Sequence, residues 1–107
     1  MAESERRGGP RVDVEFFAVE LGEAGHYYRL VRNVSEDGLF FETPPGWTHD
    51  EDAQVVLLVP PSPETLAEAI EIVGTVVHAD ERGVGLKLLR VPPAARAWIR
   101  RLIEGNA

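Results

Sequence analysis

The segment HYYRLVRNVSEDGLFFET, residues 26–43, has the pattern of two β-strands joined by a short polar turn. Its first half is rich in aromatic and β-branched residues, which pack well on a pleated surface. Residues 35–38 have the composition of a turn, and we expect Gly38 to supply a backbone angle that other residues resist. The segment therefore predicts strands over residues 26–34 and 39–43.

Strand patterns also occur on both sides of this segment. Val12, Val14 and Phe16 alternate with acidic residues, and the apolar positions then move to Phe17 and Val19. The alternation predicts a half-buried strand, and the change of phase predicts a bulge or strong bend. Three further strands are predicted over residues 54–59, 70–78 and 84–89, the first of them central and well buried because it is almost wholly apolar. The aromatic residues expected in the core or barrel wall are Phe16, Phe17, Phe40, Phe41 and Trp98.

The last segment has helical periodicity instead. The apolar residues Ala95, Trp98, Ile99, Leu102 and Ile103 recur at the spacing that places them on one face of an amphipathic helix. This predicts a helix over about residues 93–104, opened by a proline, with two arginines in its final turns and a glycine to stop it. A second, short helix is predicted from Ser62 through Ala69, since serine caps helices and proline suits the first helical position.

Six short strands and one closing helix indicate a small antiparallel barrel or sandwich, an all-β class with a C-terminal helix. A length of 107 residues fits one domain. We predict a flexible N-terminal arm over residues 1–11, which are polar and rich in glycine, and a folded domain over residues 12–107.

Composition limits the classes of function. The formal net charge of -7, from 18 Asp and Glu against 11 Lys and Arg, disfavours binding to a nucleic-acid polymer. There is no cysteine for a disulfide or a thiolate metal site. No apolar run is long enough to span a membrane, and the N-terminus lacks the apolar core of a secretory signal. We therefore expect a cytoplasmic protein.

Residues for catalysis or metal binding are poorly represented. The three histidines, His26, His49 and His78, have no metal-ligand spacing. Ser35 lacks the sequence context of a nucleophile elbow. The acidic run after His49 does not continue as a calcium-binding loop and is better explained as a solvated loop. The sequence therefore predicts a protein that is not an enzyme and that has no catalytic or metal site.

Two motifs remain unexplained by the scaffold. Arg7-Gly8-Gly9-Pro10-Arg11, preceded by Arg6, stands before the first strand, and Asn33-x-Ser35-x-x-Gly38 follows the second. This ordered pair resembles the motifs of the PilZ family of bacterial cyclic-di-GMP receptors. Residues 72–77 and 83–88 are similar to the fifth and sixth strands of that family, so the resemblance covers essentially the whole chain.

The resemblance implies a six-stranded antiparallel β-barrel with a C-terminal helix, and cyclic di-GMP as the ligand. It implies that Arg6, Arg7 and Arg11 contact the phosphates and guanines, and a guanidinium is suited to both. Asn33 and Ser35 would read a guanine edge, and Gly38 would shape the turn that presents them. Gly8 and Gly9 would let the arm fold over the ligand. Position 33 is Asn where many relatives have Asp, so it offers one acceptor and an amide donor.

The resemblance further implies a single-domain receptor without another cofactor. Since 107 residues leave no room for an output domain, the effect is expected in trans on a protein partner, in motility, polarity or exopolysaccharide control. Two alternatives stay open. The arginines could be solvated charges and residues 33–38 a plain turn, or the chain could be a PilZ-fold adaptor that acts without nucleotide. A monomer or a weak homodimer is expected.

Overall fold

The structure, a computed structural model, describes residues 11–45, 49–59 and 69–106. These ranges contain six strands and one helix: β1 Val12–Leu21, β2 His26–Val34, β3 Gly38–Glu42, β4 Gln54–Val59, β5 Ile70–Asp80, β6 Gly83–Arg90 and α1 Pro93–Asn106. All neighbouring strands are antiparallel, and their order β1-β2-β3-β6-β5-β4 closes because β1 also pairs with β4. The predicted six-stranded antiparallel barrel with a C-terminal helix is confirmed.

The predicted bulge in β1 is present, but it lies earlier than expected. The register with β2 shifts between Asp13 and Phe16, and the register of β2 with β3 shifts between Val31 and Asn33. Residues 12, 14, 16, 18 and 20 alternate inward without a change of phase. The expected change of phase at Phe17 therefore does not occur, and the Phe17 side chain lies on the outer wall, 58% exposed. At this bulge β1 has one residue more than β2, so the pairing partners change there. The alternate residues of β1 from Val12 to Glu20 nevertheless continue to point inward.

The core fills the barrel with side chains from every strand. Its largest fully buried members are Leu39, Phe41, Leu57, Ile72, Leu86 and Ile99. Strand β4 is buried at Val55, Leu57 and Val59, whereas Val56 and Leu58 between them are half-buried. A barrel strand has one face towards the interior and one outside, so an apolar run along it leaves alternate residues on the outer wall.

Helix α1 packs against β1 and β5. Its apolar stripe is buried at Ala95, Trp98 and Ile99, and the Trp98 ring meets Phe16 edge to face, with the ring centroids 4.9 Å apart. The helix continues to Asn106, and its last turn contains no basic residue. Arg100 and Arg101, which were predicted to lie in the final turns, are more than one turn before Asn106 and therefore do not complement the last carbonyl groups. Among the described residues no helix has the length and apolar character needed to cross a membrane.

A polar cluster lies inside the barrel, where β1 and β2 approach their connecting turn. The Nε of Arg29 donates to Glu20 Oε1 at 2.7 Å, and Nε2 of His49 donates to Glu20 Oε2 at 2.8 Å. Arg29 is 3% exposed and its guanidinium carbon lies 5.3 Å from the centre of the Tyr27 ring. His49 therefore has a structural contact, and no group of three or more His, Cys, Asp or Glu that could hold a metal occurs in the described ranges. The predicted helix from Ser62 lies outside the described residues except for Ala69.

Candidate ligand-binding site

The turn between β2 and β3 is organised by Ser35. The Ser35 backbone N–H donates to the Gly38 carbonyl at 2.8 Å. The Ser35 hydroxyl oxygen accepts from the backbone N–H groups of Asp37 and Gly38, at 3.3 and 3.2 Å. The Asp37 carbonyl in turn accepts from Leu88 N–H of β6 at 2.7 Å. Since Ser35 is only 1% exposed, its hydroxyl fixes the turn and is not presented on the surface.

Gly38 is needed for a different reason from the one expected. No positive backbone angle is found at this residue, so the expectation of an unusual φ is wrong. A Cβ at Gly38 would lie 2.5 Å from the carbonyl oxygen of Leu86, on the backbone of the neighbouring strand β6. The absence of a side chain therefore permits the close approach of β3 to β6 at the edge of the site.

Arg11 lies immediately before β1 and is held against the end of β2. Its Nη1 donates to Asn33 Oδ1 at 2.6 Å. Because a guanidinium only donates, the amide atom that faces it is the oxygen, and the Asn33 NH₂ group points elsewhere. Within the described residues Arg11 makes no ion pair with a carboxylate, so an amide orients its charge without neutralising it.

A cleft of about 690 Å³ opens beside this arginine on the outer wall of the barrel. Its lining comes from the start of β1, the turn, and the paired strands β5 and β6: Arg11, Asp37, Gly38, Val77, His78, Leu86 and Lys87. The volume is within the range of about 300–1,000 Å³ that small-molecule sites occupy. Among the lining residues that the structure describes, two cations, Arg11 and Lys87, face one carboxylate, so the cleft suits an anion in a chain whose net charge is -7.

His78 is fixed at the side of the cleft by the turn between β5 and β6. Its Nε2 lies 3.0 Å from Asp80 Oδ2, while Asp80 Oδ1 accepts from the backbone N–H groups of Arg82 and Gly83 at 2.8 and 3.2 Å. The Arg82 N–H, followed by the bond with His78, holds the pKa of the exposed Asp80 below its ordinary 3.8. Asp80 is therefore an ionised cap that orients the imidazole.

The structure brings four of the six predicted site residues together: Arg11, Asn33, Ser35 and Gly38. Arg6 and Arg7 lie outside the described residues. Sequence reasoning missed Lys87 and His78. Lys87 is the only lysine of the chain and pairs directly with Gly38 in the β3–β6 register. Its rarity was a visible signal, but its place in the site depends on a pairing between strands distant in sequence.

The protein is thus a small closed β-barrel with a cationic cleft on its outer wall. The family model of the PilZ domain matches residues 5–105, and the chain belongs to the PilZ domain family, a family of cyclic-di-GMP-binding domains. The resemblance seen in the two sequence motifs is thus confirmed.

Among solved structures, that of the Bacillus subtilis inhibitor of motility, MotI/DgrA, is similar with a TM-score of 0.71 at 16% sequence identity. The match covers 89% of this chain and 48% of MotI/DgrA, so the chain spans about half the length of that protein. Likeness at this identity supports the fold alone. A search of curated proteins found no match. Neither the family nor this neighbour indicates an enzyme.

Proposed function

We propose that this chain is a cyclic-di-GMP receptor that binds the nucleotide in the cleft beside Arg11. The observation that carries the proposal is the Arg11 guanidinium, which is held 2.6 Å from an amide oxygen and lines the same cleft as Lys87, in a protein whose net charge is -7. A preoriented guanidinium that pairs with no carboxylate among the described residues suits a phosphodiester or the O6 and N7 atoms of a guanine. Membership of the PilZ family supports the same ligand.

The chemistry of position 33 gives the site a particular character. With its oxygen engaged by Arg11, Asn33 has an NH₂ group left to donate to an acceptor such as guanine O6 or N7. A carboxylate at this position would form an ion pair with Arg11 and would have no donor. The asparagine therefore leaves more positive charge for the phosphates of the ligand.

The remaining predicted residues enter the proposal in two ways. Arg6 and Arg7 would supply additional guanidinium groups to the phosphates and guanines, with Gly8 and Gly9 as hinges that let the arm close. Ser35 supports the site by ordering the turn, and its predicted direct contact with a guanine would require the buried hydroxyl to become exposed and its O–H to turn away from the Gly38 carbonyl, 3.4 Å distant. Ligand binding would order the arm against the barrel and change the surface offered to a partner.

The receptor would act as a cytoplasmic, non-enzymatic component that signals in trans to a protein, in motility, polarity or exopolysaccharide control. The second candidate is an adaptor that acts without nucleotide. The observation that favours it is the buried and internally bonded hydroxyl of Ser35, which is accounted for by the turn alone.

Titration calorimetry of the purified chain with cyclic di-GMP distinguishes the two. We expect binding at micromolar concentrations, and at least about tenfold weaker binding in Arg11→Ala, because a charge-assisted hydrogen bond of about 1.5–3 kcal/mol is lost. Lys87→Ala is expected to weaken binding in the same direction. Arg101→Ala is the matched control, since this exposed arginine lies on α1. No heat at tens of micromolar ligand, or equal affinity in the Arg11 and Arg101 variants, would favour the adaptor.

A further inference from the structure

An apolar face covers the outer wall of the barrel on strands β2, β1 and β4. Tyr28 and Leu58 both lie directly opposite Val19, on the two strands that flank β1. Phe17 pairs with Leu30 in the next row of the β1–β2 ladder. Side chains that face each other across a ladder share one side of the sheet. These five residues therefore form one continuous surface, the β1 face, which is defined by Phe17, Val19, Tyr28, Leu30 and Leu58.

Two aromatic rings project from the β1 face. Phe17 is 58% and Tyr28 68% exposed, and their rings meet edge to face with centroids 6.5 Å apart. Since such side chains offer roughly 150–250 Å² each, the two rings leave about 250 Å² of exposed surface. With the half-buried aliphatic residues beside them, the face reaches the size of patches that commonly serve in binding. Tyrosine is among the residues that dominate binding energy at interfaces.

The form of the barrel limits what can bind there. At Val19–Leu21 strand β1 is paired on both sides, with β2 and with β4, so this part of the face has no free edge for a partner strand. Recognition at the β1 face must therefore use side chains. Three strands at a spacing of about 4.8 Å give a width of about 10 Å, close to the diameter of an α-helix.

The charge around the β1 face selects the occupant. The exposed carboxylates Glu71, directly opposite Leu58, and Glu23, in the turn after β1, lie at its borders, and no described cation pairs with them. Arg29 of β2 is buried, and Arg32, the exposed arginine of that strand, is already shared between two glutamates, with its Nη1 3.0 Å from Glu15 Oε2. A second copy of a chain with net charge -7 would meet this acidic border with more negative charge. A basic partner would complement it.

We infer that the β1 face docks an amphipathic α-helix of a partner protein, with one apolar stripe flanked by lysine or arginine. The strand length from Phe17 to Leu21, about 13 Å, accommodates two to three helical turns. In the ring of strands, the face occupies the middle and end of β1 with the adjoining parts of β2 and β4, whereas the nucleotide cleft lies on β3, β6 and β5 and reaches β1 only at Arg11, before its first residue. The docking surface is separate from that cleft, so the inference does not rest on the proposed function.

Fluorescence anisotropy with two designed peptides of about 18 residues tests the inference. Both carry the same leucine stripe at helical spacing, flanked by lysines in one peptide and by glutamates in the other. We expect the lysine peptide to bind with a Kd of about 10–100 µM, typical of a small interface, and the glutamate peptide at least about tenfold more weakly. The same result is expected with and without cyclic di-GMP.

Two substitutions locate the binding. Phe17→Ser and Tyr28→Ser are each expected to raise the Kd of the lysine peptide by at least about tenfold. Leu89→Ser is the matched control, since Leu89 is 52% exposed on β6 in the other half of the barrel, and a change within about twofold is expected. Circular dichroism and thermal unfolding verify that each variant is folded.

Three outcomes would overturn the inference. The first is equal affinity for the two peptides, which would remove the role of charge. The second is a loss in Leu89→Ser as large as in Phe17→Ser, which would place binding elsewhere. The third is a dimer in sedimentation velocity that Tyr28→Ser dissociates, which would make a second copy the occupant.

Discussion

Substituting Gly38 by alanine tests the close approach of β3 and β6 that forms the edge of the cleft. The new Cβ would lie 2.5 Å from the backbone carbonyl oxygen of Leu86. A carbon–oxygen contact normally needs about 3.3 Å, so the strands must separate by roughly 0.8 Å. This movement strains the adjoining hydrogen bond, in which Leu88 N–H donates to the Asp37 carbonyl at 2.7 Å.

Overpacking of this kind costs about 1–3 kcal/mol, and a weakened backbone hydrogen bond adds about 0.5–1.5 kcal/mol. The expected loss in the free energy of unfolding is therefore about 2–4 kcal/mol, and a fall in Tm of about 10–20 °C follows for a domain of this size. Urea denaturation and calorimetry measure both. Gly105→Ala is the matched control, since a Cβ there meets nothing within 4 Å and alanine is favoured in a helix.

A second variant separates the steric cause from a backbone-angle cause. If Gly38 were required for a left-handed backbone angle, asparagine would be tolerated better than alanine. If the carbonyl of Leu86 is the obstacle, Gly38→Asn is at least as destabilised as Gly38→Ala. A steric cause is excluded if the free energy of unfolding of Gly38→Ala lies within about 0.5 kcal/mol of the wild-type value. It is also excluded if Gly38→Asn is clearly more stable than Gly38→Ala.

The other predictions concern the barrel interior, the turn and pH. Arg29→Met leaves the buried Glu20 carboxylate without its arginine and should lower the free energy of unfolding by about 3–5 kcal/mol, measured in urea; a loss below about 1 kcal/mol would contradict a buried ion pair. Ser35→Ala removes the acceptor of two backbone N–H groups and should cost about 1–3 kcal/mol by thermal unfolding, whereas an unchanged Tm would refute that role. NMR should show a pKa below 3.8 for Asp80, chiefly because the Arg82 N–H donates to its carboxylate. The stabilisation that results is present above pH 3.8 and is lost as the pH falls through the lowered pKa. A measured pKa at or above 3.8 would be incompatible with the turn described.

Local pattern was enough to predict most of the fold. The bounds of β2 and β4 agree with the predicted strands over residues 26–34 and 54–59, because turn residues interrupt the pattern on both sides. The interior position of Glu20 gave no such signal. Phe17 and Val19 are the more apolar residues, yet Glu20 points inward because Arg29, on the adjacent strand, neutralises it inside the barrel. Inward or outward orientation there is decided by a pairing partner and not by local hydropathy.

The site was also only partly predictable, because some of its residues are brought together by pairing between strands distant in sequence. The motif residues Arg11 and Asn33 could be proposed from the sequence, and the structure joins them by a hydrogen bond. The need for glycine at position 38 depends on a carbonyl of β6, nearly fifty residues away, and so required the strand register. The same register places Lys87 opposite Gly38, where no local pattern could have located it.

Binding of cyclic di-GMP in the cleft beside Arg11 can be observed residue by residue in an NMR titration of the ¹⁵N-labelled chain with that nucleotide. We expect the largest shifts in the Asn33 side-chain amide and in the backbone N–H groups of Gly38 and Lys87, while Tyr28 on the opposite half of the barrel changes little. An unchanged spectrum at millimolar nucleotide, or shifts concentrated away from the cleft, would contradict it.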